Sequence, residues 1–289
     1  MDSYTSFAKV YDTFMDNVPY TEWAEYIANQ LEKYDIPKTA LNSADSEAGE
    51  TCVKLSEKNA ALDEALLEEK GSVLDLGCGT GTLTSLLYQK GYSMMGVDNS
   101  EEMLEIAQEK KTKNGEDILY LCQDMRDLEL YGTVGAVISV CDSLNYILEE
   151  DELQEVFFLV NNYLFPGGVF LFDFNTTYKY AEIIGDTTIA ENRDDCSFIW
   201  DNYYHEEEGI NEYDLTIFVK EEDERFSRFQ ETHYQRGYTL DEMKGMLEKA
   251  GLEFIEAVDS DTKKAPTEES ERIFVVAREC TKALPEGTV

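Results

Sequence analysis

The stretch that most constrains this chain is Val73-Leu74-Asp75-Leu76 running directly into Gly77-Cys78-Gly79-Thr80-Gly81. A short apolar strand followed by three alternate glycines predicts a sharp strand-to-helix turn. Glycine enters positive φ without steric cost and lets the backbone approach a bulky group closely. A helix through Leu83, Leu86 and Leu87 follows, closed by Gly91 where a left-handed cap is expected. Met94-Met95-Gly96-Val97 reads as a second strand ending on Asp98, and Ser100 caps a helix running to about Lys111. Leu119–Cys122 and Ala136–Val140 are the third and fourth strands. A helix from about Glu150 to Leu164 stops at Pro166-Gly167-Gly168, and Val169–Phe174 is the fifth strand. Strands and helices in this alternation build a doubly wound parallel sheet.

The flanks carry different patterns. Phe7, Val10, Tyr11 and Phe14 recur at helical spacing within 3–17; Pro19 interrupts, and Tyr20, Trp23, Ile27 and Leu31 mark a second helix. Residues 37–50 are small, polar and acidic and read as a loop, with a helical approach through Leu62, Leu66 and Leu67. After the fifth strand come three strand-like runs, 196–205, 210–220 and 225–236, separated by the acidic turns Glu206-Glu207-Glu208-Gly209 and Glu221-Glu222-Asp223-Glu224. Tyr213, Leu215, Ile217 and Val219 alternate with period two, as in an antiparallel strand with one covered face. Thr239 and Glu242 form a capping box for a helix ending at Gly251, and strands at 252–258 and 272–278 close the sheet. The expected fold class is α/β: a doubly wound, seven-stranded, mostly parallel sheet with an N-terminal helical lid and an antiparallel β cap insertion. Its expected parts are a lid (1–36), a loop and connecting helix (37–70), a ligand-binding α/β core (71–175), the cap (176–238), a closing helix and strands (239–280) and a tail (281–289).

Charge excludes several function classes. Against 61 Asp and Glu stand 24 Lys and Arg, a formal net charge of −37. Such a chain repels a phosphate backbone, which is bound by Lys and Arg displacing counterions, so nucleic acid is not an expected partner. An anionic membrane is disfavoured likewise. No apolar run approaches a membrane span, and Met1–Val10 has no basic-then-apolar signal pattern. The six cysteines (Cys52, Cys78, Cys122, Cys141, Cys196, Cys280) form no CxxC pair, and a reducing cytoplasm is the expected compartment. With only His205 and His233 and no ligand cluster around them, no metal is expected.

The glycine turn and Asp98 form one constellation. An acidic residue ending the second strand suits both hydroxyls of a ribose. A nicotinamide fingerprint requires a glycine where Thr82 stands. Asp75 would repel a pyrophosphate and suits instead a ligand carrying an ammonium and a sulfonium. The run at 73–81 closely resembles the first motif of class I S-adenosylmethionine-dependent methyltransferases. The resemblance continues through Gly-Val-Asp-Asn-Ser-Glu-Glu-Met-Leu at 96–104, Gln-Asp-Met-Arg at 123–126 and Leu-Phe-Pro-Gly-Gly at 164–168. Phe-Ala-Lys-Val-Tyr-Asp at 7–12 is similar to the N-terminal helix of small stand-alone bacterial members, and the insertion resembles the cap of the small-molecule N-methyltransferase branch. The resemblance implies a Rossmann-like methyltransferase fold and S-adenosylmethionine as cofactor. It implies that Asp75 and Gly77, Cys78, Gly79, Thr80 and Gly81 hold the methionine part and Asp98 the ribose. Asn99 and Met103 would flank the adenine, Asp124 would accept from its amino group beside Met125, and Cys141 would offer a backbone carbonyl to the ammonium.

The expected function is methyl transfer to N or O of a small-molecule acceptor by in-line displacement, in which alignment and desolvation matter most. Tyr11 and Trp23 are candidate lid aromatics over the cofactor mouth. Asp142 and Asn145, just past the fourth strand, are candidate acceptor contacts. His233 is the candidate general base if it faces the pocket, since an ordinary histidine titrates near pH 6.5. The alternatives are a methyltransferase acting on a protein or RNA and a non-catalytic S-adenosylmethionine-binding protein. Cap edge strands offer a route to a homodimer.

Overall fold

A computed structural model describes residues 8–38, 65–221 and 224–282. Phe7, Cys52, Leu62 and all but the first two residues of the loop expected at 37–50 lie outside them. The chain order is α1 (Ala8–Phe14), α2 (Tyr20–Lys33), β1 (Ser72–Leu76), α3 (Thr82–Gln89), β2 (Ser93–Asp98), α4 (Glu101–Asn114), β3 (Leu119–Cys122), β4 (Val134–Ser139), α5 (Glu150–Tyr163) and β5 (Leu164–Asn175). Then come β6 (Thr188–Asn192), β7 (Cys196–His205), β8 (Ile210–Lys220), β9 (Phe226–Arg236), α6 (Leu240–Lys249), β10 (Leu252–Asp259) and β11 (Arg272–Glu279).

Seven strands form one sheet in the order β10-β11-β5-β4-β1-β2-β3, parallel except for β11, which runs antiparallel to β5 and β10. This is the doubly wound, mostly parallel α/β sheet that the alternation predicts. The central β1 alternates strictly: Leu74 and Leu76 point to a core shared with Phe157, Phe170, Phe172 and Leu247, and Val73 points to one shared with Ile27, Leu31, Leu87 and Met94. Strands buried on both faces must be apolar on both, which explains their unbroken hydrophobic runs. A Leu74→Ala cavity here costs about 2–5 kcal/mol.

Local signals act where expected. Ser100 Oγ accepts from Met103 N at 3.2 Å, Thr239 and Glu242 close a reciprocal capping box, and Gly91 and Gly251 take positive φ. Two elements differ. The fifth strand begins at Leu164 rather than Val169. Its pairing with β4 jumps from Val134–Leu164 to Ala136–Val169, so Pro166 and Gly167 fall in a bulge that tolerates a missing N–H. Leu66 and Leu67 belong to a helical segment, 65–71, but are exposed.

The cap is a separate antiparallel sheet of four strands, β6-β7-β8-β9, one more than the sequence analysis predicts. β6 escaped because Thr188–Asn192 is exposed along most of its length, so burial imprints no alternation on it. Tyr213, Leu215 and Ile217 turn inward, and Val10 and Phe14 of α1 pack on Cys196, Leu215 and Ile217. Phe14 meets Phe198 edge-on at 4.9 Å, and Asp16 pairs with Arg193 at 2.7 and 2.9 Å. Among the described residues no helix is long and apolar enough to cross a membrane.

Candidate active site

A cavity of about 550 Å3 opens at the carboxyl ends of β1, β2 and β4, where ligands bind in open α/β sheets. The glycine turn forms its floor. Gly77 N and Cys78 N both donate to Val97 O (2.7 and 3.0 Å), Gly79 N to Asp98 Oδ2 (2.7 Å) and Gly81 N to Cys78 O (3.0 Å). Gly77 has φ +80°, and a Cβ there would lie 2.6 Å from Ser143; at Gly79 the space is open. Gly81 does not line the cavity. A Cβ on it would collide with the Tyr120 hydroxyl at 2.3 Å, so this glycine serves packing under Tyr120.

Asp98 ends β2 with Oδ1 on Ser100 N (2.9 Å) and Oδ2 on Gly79 N. Each oxygen retains a lone pair for a hydroxyl. Burial raises its pKa, while backbone N–H groups of Ser100, Gly79 and Asn99 oppose the shift. Asp75, 2% exposed, accepts from Thr84 Oγ1 at 2.5 Å. Desolvation pushes its pKa to about 7, against the Thr84 hydrogen bond and with help from Asp98. Among the described residues, the lining carries the carboxylates Asp75, Asp98, Glu101, Glu102 and Asp124 against one cation, Arg126. Such a field attracts a positively charged ligand. Asn99, Met103, Met125, Thr80 and Cys78 also line the cavity. Asp124 does too, but both its oxygens are held by Arg126 at 2.6–2.9 Å, which holds its carboxyl below the usual range.

Two non-glycine residues in sequence, Cys141 (φ 67°) and Asp142 (φ 55°), adopt positive φ where β4 ends. Strain of this kind persists only when the surroundings over-determine it. Here they do: Asp142 N donates to Asp173, and its carboxylate takes Arg272 and Gln235. Asp142 is therefore a structural hub rather than a cavity residue, correcting its expected acceptor role. Asn145 is corrected likewise. It is fully buried, with Nδ2 on the carbonyls of Asn175 and Arg236. Trp23 lies in the core against Phe274 and beneath Arg272, away from the lining. Tyr11 does line the cavity, with Oη 3.9 Å from Cys141 Sγ. His233 does not: it is 1% exposed inside the cap, stacked on Tyr213 at 4.9 Å.

The lining also includes Tyr20, whose sequence pattern marks it only as part of a helical stripe, and Ser143, Tyr146 and Tyr234, which carry no motif. Ser143–Tyr146 is a 3-10 turn, in which residues three apart eclipse. Ser143 and Tyr146 therefore face the cavity together, while Leu144 and Asn145 are buried behind them. The signal was present, four residues after Asp142, but only the turn type tells which side chain faces in.

A cofactor with a ribose and a cationic centre fits these residues: a carboxylate fixed at the end of β2, open backbone at Gly79 and an acidic wall. Comparison with known proteins agrees. The family described as "Methyltransferase domain" matches residues 73–168. "Putative methyltransferase YqeM" of Bacillus subtilis (strain 168) is 34% identical over 276 residues, covering 95% of this chain and 96% of that one. The dTDP-3-amino-3,4,6-trideoxy-alpha-D-glucopyranose N,N-dimethyltransferase of Streptomyces venezuelae is 29% identical over 128 residues, 43% of this chain and 52% of that one. The crystal structure of an S-adenosylmethionine-dependent methyltransferase from Clostridium acetobutylicum ATCC 824 superposes with a TM-score of 0.78 at 26% identity, covering 97% of this chain and all of that one. With likeness over nearly its whole length, this chain belongs to the class I S-adenosylmethionine-dependent methyltransferases.

Proposed function

We propose that the chain methylates a nitrogen or oxygen of a small-molecule acceptor. The observation that carries this reading is the set of tyrosines that line the cavity from separate elements. Tyr11 and Tyr20 come from the N-terminal helices, Tyr146 from the 3-10 turn and Tyr234 from the cap. A volume of about 550 Å3 suits a cofactor with a compact partner better than a folded polymer. The amino-sugar dimethyltransferase from Streptomyces venezuelae supports an amine among the acceptors to try first.

S-adenosylmethionine supplies an electrophilic methyl on a sulfonium, with a neutral sulfur as leaving group. The chain supplies alignment and dryness. Asp98 and Asp75 hold the two ends of the cradle, and Tyr11 and Tyr20 cover it. In this reading Gly77, Cys78, Gly79 and Thr80 support the methionine part, Asn99, Met103, Asp124 and Met125 surround the adenine, and Cys141 offers its carbonyl to the ammonium.

A panel of small amines, amino-sugar nucleotides and hydroxylated metabolites, run beside peptide and RNA fractions with methyl-labelled cofactor, tests it. Label in a small amine or alcohol is expected. Label in the peptide or RNA fraction overturns the small-molecule reading, and tight cofactor binding with no labelled product in any fraction overturns catalysis. We also place the reaction in the cytoplasm, since the five described cysteines are free thiols; fractionation checks it. β6 and β9 are the cap's edge strands, where a second copy could add. A monomer mass by light scattering removes that homodimer.

A further inference from the structure

Behind Tyr146 lies a chain of polar groups reaching into the cap. Tyr146 lines the cavity, and its Oη is 2.5 Å from Tyr213 Oη and 3.3 Å from His233 Nδ1. His233 Nε2 lies within ion-pair distance of Glu231 Oε2, 3.3 Å, without hydrogen-bond alignment between them, and the side-chain exposures are only 1% and 6%. Glu231 and His233 sit two apart on β9, hence on one face of the strand. Tyr213 comes from β8, directly opposite His233 in the ladder, and stacks on its ring with an interplanar angle of 8°. Among the described residues, the groups facing the imidazole include Tyr146 from the turn, Tyr213 from β8 and Glu231 from its own strand.

We propose that Tyr146 takes the acceptor's proton during methyl transfer, with His233 and Glu231 behind it as positioning residues of a buried relay. The proposal rests on the reading above that the acceptor is a protic amine or alcohol. His233 is too enclosed to touch an acceptor, so a direct base role for it does not fit; one phenol away, it does. The acceptor's lone pair forms its bond to the methyl carbon as the carbon–sulfur bond breaks, its electron pair staying on sulfur. The acceptor's proton passes to Tyr146 Oη, and the phenolic proton passes to His233 Nδ1. The resulting imidazolium lies beside the Glu231 carboxylate, where low dielectric strengthens their attraction. After product leaves, the proton returns through Tyr146 to water in the cavity. The relay requires one tautomer. Nδ1 must be bare, Nε2 must carry hydrogen toward Glu231, and Tyr213 must donate to Tyr146 so that Tyr146 keeps its own proton for Nδ1. The Glu231 carboxylate, 3.3 Å from Nε2, favours a hydrogen on that nitrogen, and a small turn of the ring would bring the two into line.

The chain has two histidines, so a His205→Gln variant leaves His233 as the single ring signal in untagged, 15N-histidine-labelled protein. His205 sits on the cap's outside, paired with Glu212, and takes no part in the site. With S-adenosylhomocysteine bound, nitrogen NMR should show a bare Nδ1 and a protonated Nε2, and Glu231→Gln should erode that preference. The opposite tautomer, with Nδ1–H donating to Tyr146, overturns the relay whatever the acceptor is. On any acceptor found with the panel, Tyr146→Phe should lower kcat by about 10²–10⁴-fold with unchanged cofactor affinity. Glu231→Gln should lower kcat less and add nothing to Tyr146→Phe. Unchanged kcat in Tyr146→Phe also overturns the relay. A panel with no methylated product fails the functional reading instead, and the tautomer still decides the geometry.

Discussion

The cofactor cradle and the cap are built by different means. In the cradle the decisive contacts are made by backbone amides within one strand–helix–strand unit: Gly77 and Cys78 amides on Val97 O, and Gly79 and Ser100 amides on the Asp98 carboxylate. In the cap and its seam with the core they are side chains distant in sequence: Tyr146 with Tyr213, Asp16 with Arg193, Gln235 with Asp142. The cradle is thus specified by where glycines and one carboxylate fall, and the cap's seam by how two sheets dock. Cofactor binding should survive changes in the cap, and acceptor chemistry should be sensitive to them.

The harshest test is Gly77→Ala. Its φ of +80° and the 2.6 Å approach to Ser143 leave no room for a Cβ. Strain and overpacking together should cost about 2–4 kcal/mol of stability and abolish measurable cofactor binding. Calorimetry and a thermal melt check it, and near-normal affinity would break the claim that backbone builds the cradle. Next comes Asp98→Ala, expected to weaken S-adenosylmethionine by about 1–3 kcal/mol through lost charged hydrogen bonds. Unchanged affinity removes Asp98 from the ribose.

Asp75 sharpens the comparison through pH. Its folded pKa of about 7 lies above the ordinary 3.8. In the cofactor-free fold its contribution to stability is therefore present below about 3.8 and lost as pH rises through 7. A cationic ligand prefers the ionised carboxylate. Affinity should fall by up to about tenfold per pH unit below 7, with proton release on binding. Asp75→Asn should flatten both trends. A steep profile that persists in this variant assigns the titration elsewhere.

The smallest effect is at the seam. Asp12 of α1 accepts from Thr80 at 2.6 Å and pairs with Lys110 at 2.5 Å, fastening the lid helix to the glycine turn. Both partners are partly exposed, so Asp12→Ala should cost only about 0.2–1 kcal/mol. Amides of α1 should exchange several-fold faster in the variant, and in wild type they should slow when cofactor binds. Equal exchange with and without cofactor makes α1 ordinary packing.

Much of the core was legible because its signals are local. Gly77–Gly81, Asp98, Ser100 and Thr239 announce a turn, a strand end and two caps from residues a few positions apart. β1 to β5 are readable because burial on both faces writes itself as apolar runs. β6 left no such trace, being exposed. Trp23 and Tyr11 sit on similar helical stripes, yet one lies in the core against Phe274 and the other lines the cavity. Their difference is set by the docking of α1 and α2, which no periodicity encodes.

By itself, then, the amino-acid order determined the sheet, the glycine turn and the acidic cradle, because φ preferences, capping and alternation act within a few residues. The tertiary structure alone decided which other side chains reach the cavity. A 3-10 turn put Tyr146 rather than Asn145 at the cavity, the Asp142–Arg272 pair turned a candidate ligand into a brace, and the cap's ladder buried His233 one phenol away from the site. These outcomes depend on contacts between residues tens of positions apart, whose geometry exists only once the two sheets and the lid have packed.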